Sequence, residues 1–77
     1  MLSFLLTSDA IAGQARFYRV AVEDNLFGEY SVSREWGAAG RPGRQMLQWF
    51  SNLREACLAA ERLRRRAERR GYRHPRP

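Results

Sequence analysis

The chain alternates first and then changes to a longer period. Residues 2–6, LSFLL, are a short apolar run that predicts a strand, and residues 9–15, DAIAGQA, read as a loop. In ARFYRVAVED, Tyr18, Val20 and Val22 fall on one face and Arg19 and Glu23 on the other, as in a half-buried strand. NLFG predicts a turn, because Asn25 and Gly28 tolerate unusual backbone angles. EYSVSREW alternates again, with Tyr30 and Val32 facing one way and Ser31 and Ser33 the other. Strict alternation carries Arg34 and Trp36 onto the apolar side.

After a Gly- and Pro-rich turn, RQMLQWF (44–50) predicts a further strand with mixed faces. Met46 and Phe50 lie on one side and Leu47 and Trp49 on the other, so one pair is expected to be exposed or covered by the N-terminal segment. From Leu53 the period becomes helical: Leu53, Ala56, Cys57, Ala60, Leu63 and Ala67 make one apolar stripe, with Leu58 outside it. Ser51 or Asn52 supplies the N-cap, and Glu55 suits the positive end of the helix dipole. The helix is expected to run to about residue 70, with Gly71 as its C-cap. The tail YRHPRP, with its prolines, is expected to fray. These elements predict an α+β fold: a mostly antiparallel sheet of three or four strands, with one C-terminal helix across a face.

Seventy-seven residues make one domain with one small core, since a chain of this size buries only about 60% of its unfolded surface. The single domain is read as 1–77, with its core in about 14–73 and a tail at 74–77. The net charge is +6, and all fourteen basic residues are arginine. Guanidinium groups favour carboxylate and phosphate partners, because their planar fork of donors matches both. After residue 61 arginine far outnumbers acid, which is an electrostatic footprint for a polyanion. Glu61 and Glu68, four residues from Arg65 and Arg64, are placed to neutralise part of it.

Chemistry beyond binding has little support. His74 stands alone in the proline-bearing tail, and Cys57 lies on the apolar stripe, where a free cysteine behaves as a small hydrophobe. No Cys/His spacing suits a metal, and the glycines of WGAAGRPG lack the Gly-Lys-Ser/Thr end of a phosphate loop. The expectation is a binding module with no enzymatic activity, cofactor or metal. No stretch is long enough to span a membrane. Ala10-Ile11-Ala12 matches a small-x-small cleavage pattern, but no basic residue precedes Arg16 and the apolar run stops early, so a cytoplasmic protein is expected.

FYRVAVEDNLFGEYSVSREWGAAGRPG, followed by Phe50, an amphipathic helix and Arg70-Gly71-Tyr72, resembles the WGR domain. That domain occurs within poly(ADP-ribose) polymerases and as small stand-alone bacterial proteins. The resemblance covers roughly residues 14 to 73, and implies a small antiparallel sheet with one helix and a function in binding nucleic acid, DNA above all. In the polymerases the motif tryptophan lies near a DNA strand end and the motif arginine bridges to another domain. Here Trp36-Gly37 is followed by Ala38 rather than arginine, and these residues contain no second domain to bridge. The expected contact set is therefore Arg34, Trp36, Gly37, Arg41 and Arg44 around the turn, with Arg65, Arg66, Arg69 and Arg70 on the helix. A charged helix face or a solvated turn would explain the same arginines without a ligand, and Trp36 would then simply pack beside Tyr30 or Val32. The alternative function is protein interaction or homodimerisation through the Leu47/Trp49 face.

Overall fold

The structure, a computed structural model, describes residues 2–11 and 14–75. It contains four strands, β1 (Leu2–Ile11), β2 (Gln14–Asp24), β3 (Tyr30–Ala38) and β4 (Arg44–Phe50), followed by one helix, α1 (Leu53–Arg69). The strands form a single antiparallel sheet in sequence order, so every connection joins neighbours. This is the expected α+β architecture.

Cross-strand rows show where the core lies. On the face that carries α1, one row runs Leu2, Val22, Val32, Gln48; the next Phe4, Val20, Arg34, Met46; the third Leu6, Tyr18, Trp36, Arg44. Each begins apolar and ends polar or exposed at β4. The core accordingly centres on β1–β3, with Leu6, Tyr18, Val20, Val22 and Val32 buried beneath Ala56, Ala60 and Ala67 of the helix. Burying an aliphatic side chain such as Leu6 or Val20 contributes about 1.5–3 kcal/mol. The alanines on the helix stripe are small, which lets α1 lie close over β2 and β3.

The helix ends follow their local chemistry. Asn52 is the N-cap, its side-chain oxygen accepting from the Glu55 amide at 2.8 Å. At the other end Gly71, at φ 100°, lets the Tyr72 amide donate to the Ala67 carbonyl and its own amide donate to that of Glu68. That is a Schellman cap, and it folds Tyr72 back onto the core.

Two expectations need correction. The segment 9–15 is not a loop throughout, because β1 continues to Ile11 and β2 begins at Gln14. The ladder slips register between Ser8 and Ile11, which breaks the two-residue alternation there. Ala12 and Gly13 lie outside the described residues, and the Ala10–Ala12 cleavage reading falls partly on them. The tail is not frayed at its start: Arg73 and Thr7 exchange both backbone hydrogen bonds, at 2.7 and 2.8 Å, closing over the edge of β1. Arg76 and Pro77 are outside the described residues. For β4, of the two alternatives it is exposure that holds, since β1 is the opposite edge of the sheet. Leu47 and Trp49 are each 54% exposed, and Met46 is exposed as well, leaving only Phe50 of the four packed against the core.

Candidate functional site

The turn between β3 and β4 sets the position of Trp36. A Cβ on Gly43 would overlap the Trp36 carbonyl and lie 2.9 Å from the Phe17 ring, so the chain passes Trp36 here only as glycine. Gly37, on the opposite face, is pressed on the same contact: a Cβ there would meet the Gly43 Cα at 3.0 Å. Gly37 thus has a packing role in the turn whatever else it does. Trp36 itself points to the helix side, half-buried, across from Tyr18 in β2 and Arg44 in β4.

Around Trp36 the molecule builds a basic pocket with aromatic walls, about 520 Å³ in volume, between the sheet and the last turns of α1. The Tyr18 and Trp36 rings are stacked with centroids 6.4 Å apart and planes at 29°. Tyr72 tilts against Tyr18 at 5.6 Å, and Trp36 packs beside Tyr18 rather than Tyr30 or Val32. Arg34 lies over the indole, its guanidinium carbon 5.0 Å from the ring centroid, and its Nη2 donates to the Met46 sulfur at 2.8 Å. Arg16 donates from Nε to the Tyr72 hydroxyl at 3.4 Å. Arg66 and Arg70, one turn apart, face the same pocket from the helix. Among the described residues none of these four arginines has a carboxylate partner.

The other helix arginines are placed differently. Arg64 pairs with Glu61 and, at 2.9 Å, with Glu68; Arg65 reaches Glu61 at 3.3 Å. The hydrogen bond from Arg64 holds the Glu61 carboxyl below its ordinary range, and the same bond raises the Arg64 guanidinium. Arg65 and Arg69 border a shallow depression with Glu68 rather than the Trp36 pocket. Of the residues singled out from the sequence, Arg34, Trp36, Arg66 and Arg70 come together. Arg44 is the cross-strand neighbour of Trp36, Arg41 is exposed near the tip of the turn, and Arg65 and Arg69 sit elsewhere.

Sequence reasoning missed Arg16, Tyr18 and Tyr72 as members of this site. For Arg16 a signal existed: it continues the alternation of Tyr18, Val20 and Val22, which places it on the helix side. It also stands directly across from Ala38, the position that follows Trp36-Gly37. Tyr72 had no comparable signal, because the helix cap alone brings it back to Tyr18.

Among the described residues no cluster of His, Cys, Asp and Glu could hold a metal ion, and no helix is long and apolar enough to cross a membrane. Cys57 is half-buried on the helix and forms no disulfide.

A family model, that of the WGR domain, matches residues 2–77. An uncharacterized protein of Sinorhizobium fredii, y4dW, is 38% identical over 69 residues, which are 90% of this chain and 33% of that protein. The chain therefore spans about a third of the length of that relative. No solved structure matches.

Proposed function

Because the chain belongs to the WGR domain family, we propose that it is a nucleic-acid-binding module, with DNA as its ligand, and that the pocket around Trp36 makes the contact. The WGR domain is generally a nucleic-acid-binding module in poly(ADP-ribose) polymerases. The observation that carries the reading for this chain is the pocket itself, where Arg16, Arg34, Arg66 and Arg70 face one another without carboxylates around the half-buried rings of Trp36 and Tyr72. Like charges so arranged repel, and a phosphate diester relieves that repulsion while accepting charge-assisted hydrogen bonds. Trp36 and Tyr72 then offer ring faces to a base or sugar, a contact indifferent to base identity. Arg41 and Arg44 add cations where the turn projects, and Gly37 and Gly43 keep the backbone slim there. Arg65 and Arg69 contribute to the general positive field. Arg16 supplies a guanidinium beside the position where Ala38 replaces the motif arginine. The protein works by binding rather than catalysis, within the cytoplasm.

Fluorescence polarisation with a labelled DNA duplex over a salt series tests this. Each phosphate neutralised steepens the fall of log affinity with log salt by about 0.9, so a steep salt dependence is expected. Binding that is absent, or that ignores salt, would refute it.

A second reading rests on Leu47 and Trp49, both 54% exposed on the sheet face that lacks the helix. These side chains form an apolar surface suited to a protein partner or a second copy of the chain. Sedimentation of wild type against Trp49→Ser separates the two: a dimer that the substitution dissolves supports the interface, and a persistent monomer removes it.

A further inference from the structure

The Trp36 pocket continues into a groove of about 510 Å³ between α1 and β4. Arg34 and Arg66 line both, so the two form one track. Val32, Phe50 and Leu63 contribute the apolar lining, Met46 forms part of the strand-side rim, and Arg62 stands on the helix side. Arg62, Arg66 and Arg70 recur at four-residue intervals, which spaces them about 6 Å apart along the helix axis. No carboxylate lines the groove, and among the described residues Arg62 forms no ion pair, unlike Arg64 and Arg65 on the outer side.

Resting on the reading above, we propose that this groove holds the single-stranded extension of a nucleic acid engaged at Trp36. Its phosphates follow Arg70, Arg66 and Arg62, and its bases turn toward Phe50, Leu63 and Met46. The shape favours a single strand. The molecule measures only 23 by 21 Å across its shorter dimensions, and a trough between one helix and one strand has no room for a duplex inside it. An unpaired strand has exposed base faces that an apolar lining accepts, and a backbone flexible enough to follow a row of cations. Phe50 lies opposite Tyr30, six residues from Trp36 along β3, so the track is about 20 Å long. That length suits about four nucleotides, the low end of site sizes for single-strand grooves.

The experiment compares polarisation of a labelled blunt duplex with the same duplex carrying single-stranded extensions of increasing length and either polarity. Extension is expected to tighten binding by about fivefold or more, the equivalent of one stacked base, with the gain levelling off near four nucleotides. Arg62→Gln and Phe50→Leu are expected to remove the gain and leave blunt-duplex affinity unchanged; Arg62 is exposed, so its variant remains informative should Phe50→Leu unfold. Equal binding of blunt and extended duplexes overturns the groove assignment alone, as does a gain that survives in Arg62→Gln. Failure of every DNA probe sinks both this inference and the function beneath it. A labelled peptide of alternating glutamate and leucine is the remaining arm. Arg62-dependent capture of that peptide, with no effect of DNA extension, would assign the groove to an acidic protein segment and overturn the proposal.

Discussion

The two sides of α1 carry the same residue type to different ends. On the outer side Arg64 and Arg65 are tied to Glu61 and Glu68, and their charge is largely spent within the helix. On the inner side Arg62, Arg66 and Arg70 form no ion pair among the described residues and look across at Arg34 and Arg16. Surface ion pairs of the outer kind contribute little to stability, because water and salt screen them. Their larger effect is on where the positive potential remains. A run of arginines is therefore not a binding site in itself; the three- and four-residue spacing of the acids silences one face and leaves the other available.

The largest test of that contrast removes one face at a time. Arg66→Gln with Arg70→Gln is expected to lower the salt slope on duplex DNA by about two contacts and to weaken binding on the order of a hundredfold. Arg64→Gln with Arg65→Gln should change both far less. Polarisation titrations of the two double variants at several salt concentrations make the comparison, and equal losses would show that only total charge matters.

Trp36→Ala comes next. Loss of a stacked base or sugar is expected to cost about 1–3 kcal/mol of binding, with the salt slope unchanged because stacking releases no counterions. A slope that falls along with affinity would mean that Trp36 acts by positioning Arg34 instead. Smaller still is Ala38→Arg, which places a second guanidinium across from Arg16. It should raise the slope by about one contact if phosphate lies within reach, and leave binding unaltered otherwise.

The weakest effect is expected for Glu61→Gln, which releases Arg65 and leaves Arg64 paired with Glu68 alone. Duplex affinity should rise slightly at low salt and match wild type at high salt. The same substitution sharpens a stability prediction. Glu61 has its pKa lowered in the folded protein by Arg64, so its contribution is present above the ordinary carboxylate range and is lost as pH falls through the lowered value. Thermal melts on acidification should show wild type losing a small advantage over Glu61→Gln in that window, and parallel curves would contradict it.

Much of the fold was legible in the chain. The switch from two-residue alternation to the Leu53–Ala67 stripe marks the boundary between sheet and helix, and Asn52 and Gly71 mark the helix ends because their local chemistry needs no distant partner. Glu61 and Glu68 were identifiable as neutralising acids for the same reason, since helical spacing alone fixes their neighbours. The β1–β2 hairpin was less legible: DAIAGQA has too little side-chain contrast to reveal a ladder held by backbone hydrogen bonds.

The candidate site divides along the same line. Trp36 and Arg34 stand out in the sequence because alternation carries them onto an otherwise apolar face next to a glycine-rich turn. Which helix arginines meet them depends on how α1 crosses the sheet, and only tertiary packing decides that. Arg66 and Arg70 join the pocket while Arg65 and Arg69 do not, although all four are equally basic on paper. Tyr72 arrives through the reversal at Gly71, and Arg16 through the pairing of β2 with β3. Local propensity and periodicity act over a few residues and are written in the sequence; the meeting of distant side chains depends on helix crossing and strand register, which the whole core determines together.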